Sequence, residues 1–415
     1  PLKPTISIVA YKVSWKSESL NTLTSYTSYM TLLIMFKYRI YPSQKQKVRI
    51  INSLKICKVI YPELLAMSID SWKYGQVSLG KFDFNKYLTG KYSDIHSQTK
   101  QNVSDRVHKA FQNFFRRVKT KDAKKGFPRF KSRVNSITFP QSGFKFVNNK
   151  RIYTSKIGNI PIILHRVPKG KIKTMTIKQN KVGQWFAIFS CEMPNVIVKH
   201  PSQENVGIDV GLENFAILSN GEVIDNPRHL VKAETKLKLL QRRLSRKIKG
   251  SANRRKIRFR LAKQHIKVAN QRVDFLHKLS HRITQSYSFI AIEDLNVKSM
   301  LNNHWLAKGI SDASWSNFIR CLEYKAVISG SKLVEVNPRN TSKICSRCDA
   351  ITEMPLSKRE FLCPSCGFAC HRDLNASINI LTVGMDYAQP NACRDTVRPS
   401  LKARVVESGT ICDSR

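Results

Sequence analysis

Two apolar runs in this chain end on an acid. Val206-Gly-Ile leads into Asp209, and Phe289-Ile-Ala-Ile leads into Glu293. Short runs with so little polarity read as strands buried inside a layered α/β sheet. A carboxylate at the lip of such a strand is costly unless a donor or a cation meets it. A third acid, Asp373, opens a segment in which Leu374, Ile378 and Leu381 recur at helical spacing, so it stands where a helix cap stands. Each acid alone has a structural explanation as a turn or cap residue. Two on strands and one on a helix of a single sheet can instead share divalent ions, and such ions serve phosphodiester hydrolysis by activating water and offsetting charge. Hard oxygen donors favour Mg²⁺ or Mn²⁺ over zinc. Asp209, Glu293 and Asp373 are therefore the candidate catalytic and Mg²⁺-binding residues. Asp294 points to the opposite face if its strand continues and is left out. Gly207 and Gly211 flank Asp209 and read as room for a phosphate or metal to approach.

The rest of the chain is strongly basic, with 72 Lys+Arg against 28 Asp+Glu in 415 residues and a net charge of +44. That balance calls for a polyanion, with binding that weakens steeply as salt rises. The charge is concentrated: residues 231–260 hold 13 Lys/Arg and one acid, Glu234. A merely solvated helix mixes its charges, so this stretch reads as a nucleic-acid face. Charge alone would fit a structural RNA binder as well. A membrane partner is disfavoured, because no amphipathic anchor accompanies the charge and the apolar run from Tyr29 to Phe36 is too short to span a bilayer.

Ten cysteines in a chain of this length suit a reducing compartment, with the cytoplasm as default. Cys345-Ser-Arg-Cys348 and Cys363-Pro-Ser-Cys366 are separated by residues 349–362, close to zinc-ribbon spacing, so Cys345, Cys348, Cys363 and Cys366 are the expected ligands of a structural Zn²⁺. Arg347, Lys358 and Arg359 make this small module basic. Cys370 is taken as a bystander, and a redox role would need a thioredoxin-like βαβ context that is absent.

Along the chain, residues 1–34 are Ser/Thr-rich without clear periodicity and are expected to be a non-native or disordered leader ahead of Met35. Phe36 to Tyr41 alternates like a strand, and Gln44 to about Val118 is helical. There Val103, Val107, Ala110, Phe111, Phe114 and Phe115 form a core face, leaving Arg106, Arg116 and Arg117 for solvent or phosphate. Lys119 to Arg133 is either a solvated linker or a phosphate contact with aromatic stacking. Strands at 137–139, 152–153, 160–164, 171–178 and 185–192, punctuated by glycines, suggest a small antiparallel barrel. Beyond residues 194–204 come strands at 206–210 and 215–218, an Asn220-Gly221 hairpin turn, and helix from His229 to about Tyr287, broken near Gly250. A strand, the Trp315–Ile328 helix, the Leu333–Val336 strand and a closing helix complete an α/β sheet.

These residues resemble one family, the TnpB-type (OrfB) RNA-guided nucleases of insertion-sequence transposons, relatives of the type V CRISPR effectors. The resemblance is carried by Phe36-Lys-Tyr-Arg-Ile-Tyr-Pro, Gly126-Phe-Pro-Arg-Phe-Lys-Ser, Gly207-Ile-Asp-Val-Gly-Leu, Ala291-Ile-Glu-Asp-Leu, Asn340-Thr-Ser-Lys-Ile-Cys-Ser-Arg-Cys, Cys363-Pro-Ser-Cys-Gly and Arg372-Asp-Leu-Asn-Ala, in that order. It implies an RNase H-like (RuvC) nuclease domain at 204–343 and 367–383 with an inserted zinc ribbon at 344–366. It further implies a β-barrel wedge domain at 35–43 and 134–203 interrupted by a helical recognition lobe at 44–133, with a disordered tail at 384–415. The implied activity is Mg²⁺-dependent DNA cleavage at Asp209, Glu293 and Asp373, directed by a transposon-derived guide RNA onto double-stranded DNA beside a short motif. One protein per guide RNA and a place on the nucleoid follow from the same likeness. The alternatives are an RNA-guided DNA binder that has lost cleavage, and a transposase acting directly, for which no Tyr or Ser nucleophile context is found. Two residues depart from the family pattern: Asp349, where glycine is usual, and His371, where an acid is usual.

Overall fold

The computed structural model describes residues 8–16, 29–120, 126–130, 133–193, 199–355, 358–388 and 403–405. They divide into two compact units, one mainly from residues 31–194 and one mainly from 195 onward.

The first unit begins with β1 (Ile8–Lys16) and β2 (Tyr29–Ile40), followed by α1 (Gln44–Gly75), α2 (Lys81–Tyr87) and α3 (Ser97–Lys119). Six strands complete it: β3 (Ser136–Pro140), β4 (Phe144–Asn148), β5 (Arg151–Thr154), β6 (Gly158–Ile163), β7 (Lys171–Gln179) and β8 (Trp185–Met193). The alternation expected from Phe36 reaches further back than the sequence suggested. Leu32, Ile34, Phe36, Tyr38 and Ile40 are all buried, one residue in two, as one face of a strand requires. β2 pairs antiparallel with β8, placing Leu32 opposite Met193 and Ile34 opposite Cys191. The leader boundary drawn at residue 34 therefore falls inside a strand. Residues 1–7 and 17–28 of that leader lie outside the described residues.

Where one helical stretch was expected from 44 to 118, there are three helices. Ser43 and Gln46 form a capping box that starts α1, and α1 ends where Gln76 turns left-handed at φ 50°. The predicted core face holds: Val103, Val107, Phe111 and Phe114 of α3 are buried against Tyr61, Leu64 and Leu65 of α1. Arg106 is a correction. It turns inward and its Nη2 donates to Thr138 Oγ1 at 2.9 Å, because α3 packs on β3 as well as on α1. Arg116 is exposed, while Arg117 donates to the Gly126 carbonyl. The connector divides between its two readings, since Phe127 stacks on Phe114 with ring centres 4.7 Å apart, whereas Phe130 is 58% exposed. Residues 121–125 and 131–132 of that connector lie outside the described residues.

The sheet of this unit runs β3-β7-β8-β2-β6-β5-β4, with β1 added on β2. All the registered pairs are antiparallel, but no pair joins β3 to β4 among the described residues, so the expected barrel is an open half-barrel. Its curl is set by aromatic packing. Phe144 and Phe146 of the edge strand β4 lie 6.2 and 5.1 Å from the Phe189 ring of β8, which is separated from β4 by three intervening strands. A flat sheet could not bring these rings together.

The second unit holds β9 (Asn205–Val210), β10 (Asn214–Leu218), β11 (Val223–Asp225), α4 (His229–Ser245), α5 (Ala252–Ser286), β12 (Phe289–Glu293), α6 (Val297–Met300), α7 (His304–Ala313), α8 (Trp315–Ser329), β13 (Lys332–Val336), β14 (Glu360–Leu362), β15 (Ala369–His371), α9 (Arg372–Ala388) and β16 (Ala403–Val405). Its main sheet runs β11-β10-β9-β12-β13-β16. β9, β12 and β13 are parallel neighbours, while β10, β11 and β16 pair antiparallel. One face, carrying Val206, Ile208, Ile290 and Ile292, packs on Leu276, Leu279 and Ile283 of α5 and Phe318 and Leu322 of α8. The other face, with Ala291, Val334 and Val336, packs on Ile380 and Val383 of α9. Burial on both faces explains the near-continuous apolar strands.

Two expectations for the chain's end change. Helix α9 continues past Gly384 to Ala388, and Ala403–Val405 pairs with β13. The rest of the tail, 389–402 and 406–415, lies outside the described residues, as do 194–198 of the segment before β9.

Candidate active site

The parallel register sets Ile292 beside Ile208, so one further step along both strands sets Glu293 beside Asp209. Side chains alternate across a strand, and the face is fixed two residues earlier in each case. A Cβ on Gly207 would lie 2.0 Å from the Ser377 carbonyl oxygen, and Gly384 of α9 passes so close to Ala291 that a Cβ there would lie 2.7 Å from the alanine's own. Gly207 and Ala291 thus face α9, and Asp209 and Glu293 face the same side. Asp373 lies in the first turn of that helix. Asp294 takes the opposite face and is exposed. The Gly207 reading is corrected: its missing side chain admits the helix backbone, not a phosphate. At Gly211 a Cβ would meet the Asn214 carbonyl oxygen at 2.9 Å, a constraint of the turn between β9 and β10.

The three carboxylates act on one another. Burial raises the Asp209 carboxyl well above the usual range, and the charges of Glu293 and Asp373 push it further. Burial also lifts Glu293, to about 7, against the opposing hydrogen bond from Thr341, with the Asp373 charge adding to the rise. Glu293 is only 7% exposed, and Thr341 Oγ1 donates to its Oε1 at 2.7 Å. For both carboxyls burial is the larger cause, and neighbouring negative charge adds to it.

Sequence reasoning missed what positions this site. Asn379 of α9 donates to the carbonyls of Thr341 and Ile344 at 2.9 and 2.7 Å. One turn earlier, Asn375 donates to Ile344 O and accepts from Ser346 N. Both asparagines are fully buried. They tie the helix carrying Asp373 to the segment carrying Thr341, and through it to Glu293. Asn375 and Thr341 stood inside motifs already singled out, but a motif does not say which polar residue is buried. Arg359 bridges outward, with one guanidinium nitrogen 2.8 Å from Glu213 and the other 3.7 Å from Asp373.

The four predicted cysteines converge. Their sulfurs all lie within 4.8 Å of one another, with Cys345 to Cys366 at 3.7 Å and Cys348 to Cys363 at 3.5 Å. Zn–S bonds of about 2.3 Å in a tetrahedron place sulfurs about 3.8 Å apart, so the donor set fits zinc. Each pair forms a tight turn that closes left-handed, at Asp349 (φ 62°) and Gly367 (φ 71°). Asp349 therefore occupies a backbone position that glycine fills more easily. The other departure is also accommodated: His371 Nδ1 accepts from the Asp373 backbone N–H at 3.3 Å, much as an acidic cap would. Cys370 stays outside the cluster, half-buried against the Phe361 core of the module.

The basic stretch forms an antiparallel hairpin of α4 and α5, held by Leu237, Leu240 and Leu261. Gly250 (φ 90°) makes the turn and Ser251 caps α5. Arg254 is drawn in, donating to Leu244 O and Lys247 O, and the other twelve Lys/Arg of residues 231–260 are exposed. Among the described residues no helix is long and apolar enough to cross a membrane.

The fold, with its half-barrel sheet, mixed α/β sheet and four-cysteine cluster, is similar to that of a Cas12 effector. In a Cas12f1–sgRNA–target DNA complex, the protein chain superposes with a TM-score of 0.53 at 15% identity, covering 81% of this chain and 82% of that one. The "Probable transposase" model of the IS605 OrfB family matches residues 188–304, the "Cas12f1-like, TNB domain" matches 315–380, and a "Helix-turn-helix domain" matches 30–76. That last span is here the strand β2 and the single helix α1. A Streptomyces pristinaespiralis protein named "Putative RNA-guided DNA endonuclease" is 33% identical over 88% of this chain and 92% of its own length. The Escherichia coli K12 protein named "Putative RNA-guided DNA endonuclease InsQ" is 30% identical over 86% and 93%. The chain belongs to the TnpB (IS605 OrfB) family.

Proposed function

We propose that this protein is an RNA-guided, metal-dependent DNA endonuclease of a transposon, cutting target DNA at an RNase H-like (RuvC) site formed by Asp209, Glu293 and Asp373. What supports the reading is that Asp209 and Glu293 end neighbouring parallel strands on the side of α9, and that both carboxyls are raised, first by burial and then by nearby negative charge. A protein that only bound nucleic acid would gain nothing from gathering acids in a chain of net charge +44, since desolvated like charges cost free energy. Mg²⁺ or Mn²⁺ bound by these oxygens supplies an activated water and charge neutralisation at the scissile phosphate. The chain's own groups do the rest. Thr341 orients Glu293, Asn375 and Asn379 fix the helix that presents Asp373, and the exposed cations of α4 and α5 draw in phosphate backbone. The four cysteines hold a structural zinc, and the guide RNA supplies sequence choice by base pairing while the protein reads backbone shape and a short adjacent motif. One protein acts per guide RNA.

The test is reconstitution. RNA that co-purifies with the protein is sequenced, and a DNA duplex matching its variable end is offered with Mg²⁺. Cleavage that follows the RNA sequence and stops with a chelator is expected; cleavage indifferent to the RNA would overturn the reading. Thr341→Val keeps the side chain's shape and removes the donor to Glu293. The Mg²⁺ concentration giving half-maximal cleavage is expected to rise about tenfold, and an unchanged Mg²⁺ dependence would remove Thr341 from the site.

A further inference from the structure

Helix α5 carries a half-exposed aromatic ring set among cations. Phe259 is 49% exposed, and Arg255, Lys256, Arg260 and Lys263 surround it along an open cleft of about 530 Å³. These five positions follow one another at i, i+1, i+4, i+5 and i+8, so they lie on one face of the helix. The buried face is another, marked by Leu261 and Val268. The cleft is uniformly positive. From Ala252 to Val273 the helix has no acid, and Glu234 on the neighbouring helix is engaged by Lys238 and Lys308. Among the described residues no carboxylate pairs with these cations; such a cluster fits phosphates, and a planar apolar ring among them fits the face of a nucleobase. Paired bases hide their faces inside the duplex, so the ring selects an unpaired strand.

We infer that the Phe259 cleft holds the DNA strand displaced when the guide pairs with its target, by stacking a base on Phe259 and clamping the flanking phosphates. This rests on the proposed function for the choice of strand. Pairing with the guide leaves one DNA strand unpaired, and the cleft lies in the same unit as the carboxylates that strand must reach.

Two measurements separate this inference from that reading. First, without any guide, binding of a 20-nucleotide oligo-dT is compared with binding of a duplex of equal length at fixed salt. Phe259→Ala is expected to weaken oligo-dT binding about tenfold and leave duplex binding unchanged, while Phe259→Trp restores it. Equal losses on both, or none, would overturn the inference, whatever becomes of the nuclease reading. Second, guide-loaded protein made inactive by Asp209→Ala is offered either the full target duplex or the target strand alone. Phe259→Ala is expected to weaken only the duplex complex, where a displaced strand exists. Weakening of both complexes, or of guide binding itself, would assign the cleft to RNA instead. Folding of each variant is checked by thermal unfolding, which an exposed side chain should leave within a degree or two of the parent.

Discussion

Asp209→Ala is expected to slow target cleavage by about 10³-fold or more while RNA-dependent DNA binding persists. Three powers of ten correspond to about 4 kcal/mol of barrier, a loss in keeping with removing one carboxylate from a metal-dependent phosphodiesterase site. Binding persists because it rests on guide pairing and on distributed Lys/Arg contacts, none of which involve this strand end. The substitution should not unfold the protein. Without metal, Asp209 is a desolvated acid facing Glu293 and Asp373, so removing it relieves repulsion and the metal-free melting temperature should stay level or rise. Undiminished cutting by this variant would exclude Asp209 from the mechanism.

The same electrostatics set a pH dependence for the chelator-treated protein. The folded state holds the Glu293 proton up to about 7, against an ordinary value of 4.5. A group raised on folding stabilises fully below its unfolded value, and that stabilisation is lost as pH climbs through the folded one. Metal-free protein should therefore lose stability between about pH 4.5 and 7. Mg²⁺ or Mn²⁺, binding only the folded state, should recover it at higher pH in the parent and far less in Asp209→Ala.

The second large effect is expected from Cys345→Ser combined with Cys363→Ser. Both thiols are buried beside Phe361 in a core of very few residues. A module that small cannot stay folded on apolar burial alone, and structural zinc contributes apparent binding of about 10–16 kcal/mol in comparable small domains. Zinc content should fall from about one ion per chain to none. The loss should reach the active site, because Asn375 and Asn379 bond to Ile344 and Ser346 at the module's edge while standing on the helix that presents Asp373. Cleavage should drop although none of these cysteines touches the carboxylates. A double variant that remains folded with stoichiometric zinc would defeat the assignment of these ligands.

Much of the site was legible in the chain because its signals are local. An apolar strand ending in an acid, a cysteine pair with two residues between, and a stretch dense in cations each declare themselves within a short span, and local spacing is what periodicity can read. The helix break at Gly250 and the core stripe of α3 follow from the same rule. The half-barrel's extent was less legible: Leu32 and Ile34 continue the alternation of β2, but their Ser/Thr-rich surroundings masked it.

Contacts between distant segments set the rest. Arg106 is a cation on a half-polar helix until β3 packs against it, and Phe127 is a linker aromatic until Phe114 meets its ring. Gly207 suggests an open phosphate site in sequence, yet α9 fills it from 170 residues away. The sequence by itself determined which acids, thiols and cations this protein owns and which elements bear them, since those depend on neighbours along the chain. Only the tertiary structure decided that Asp209, Glu293 and Asp373 face one another and that Thr341 holds Glu293. Strand register and helix placement are settled by packing between segments far apart in sequence.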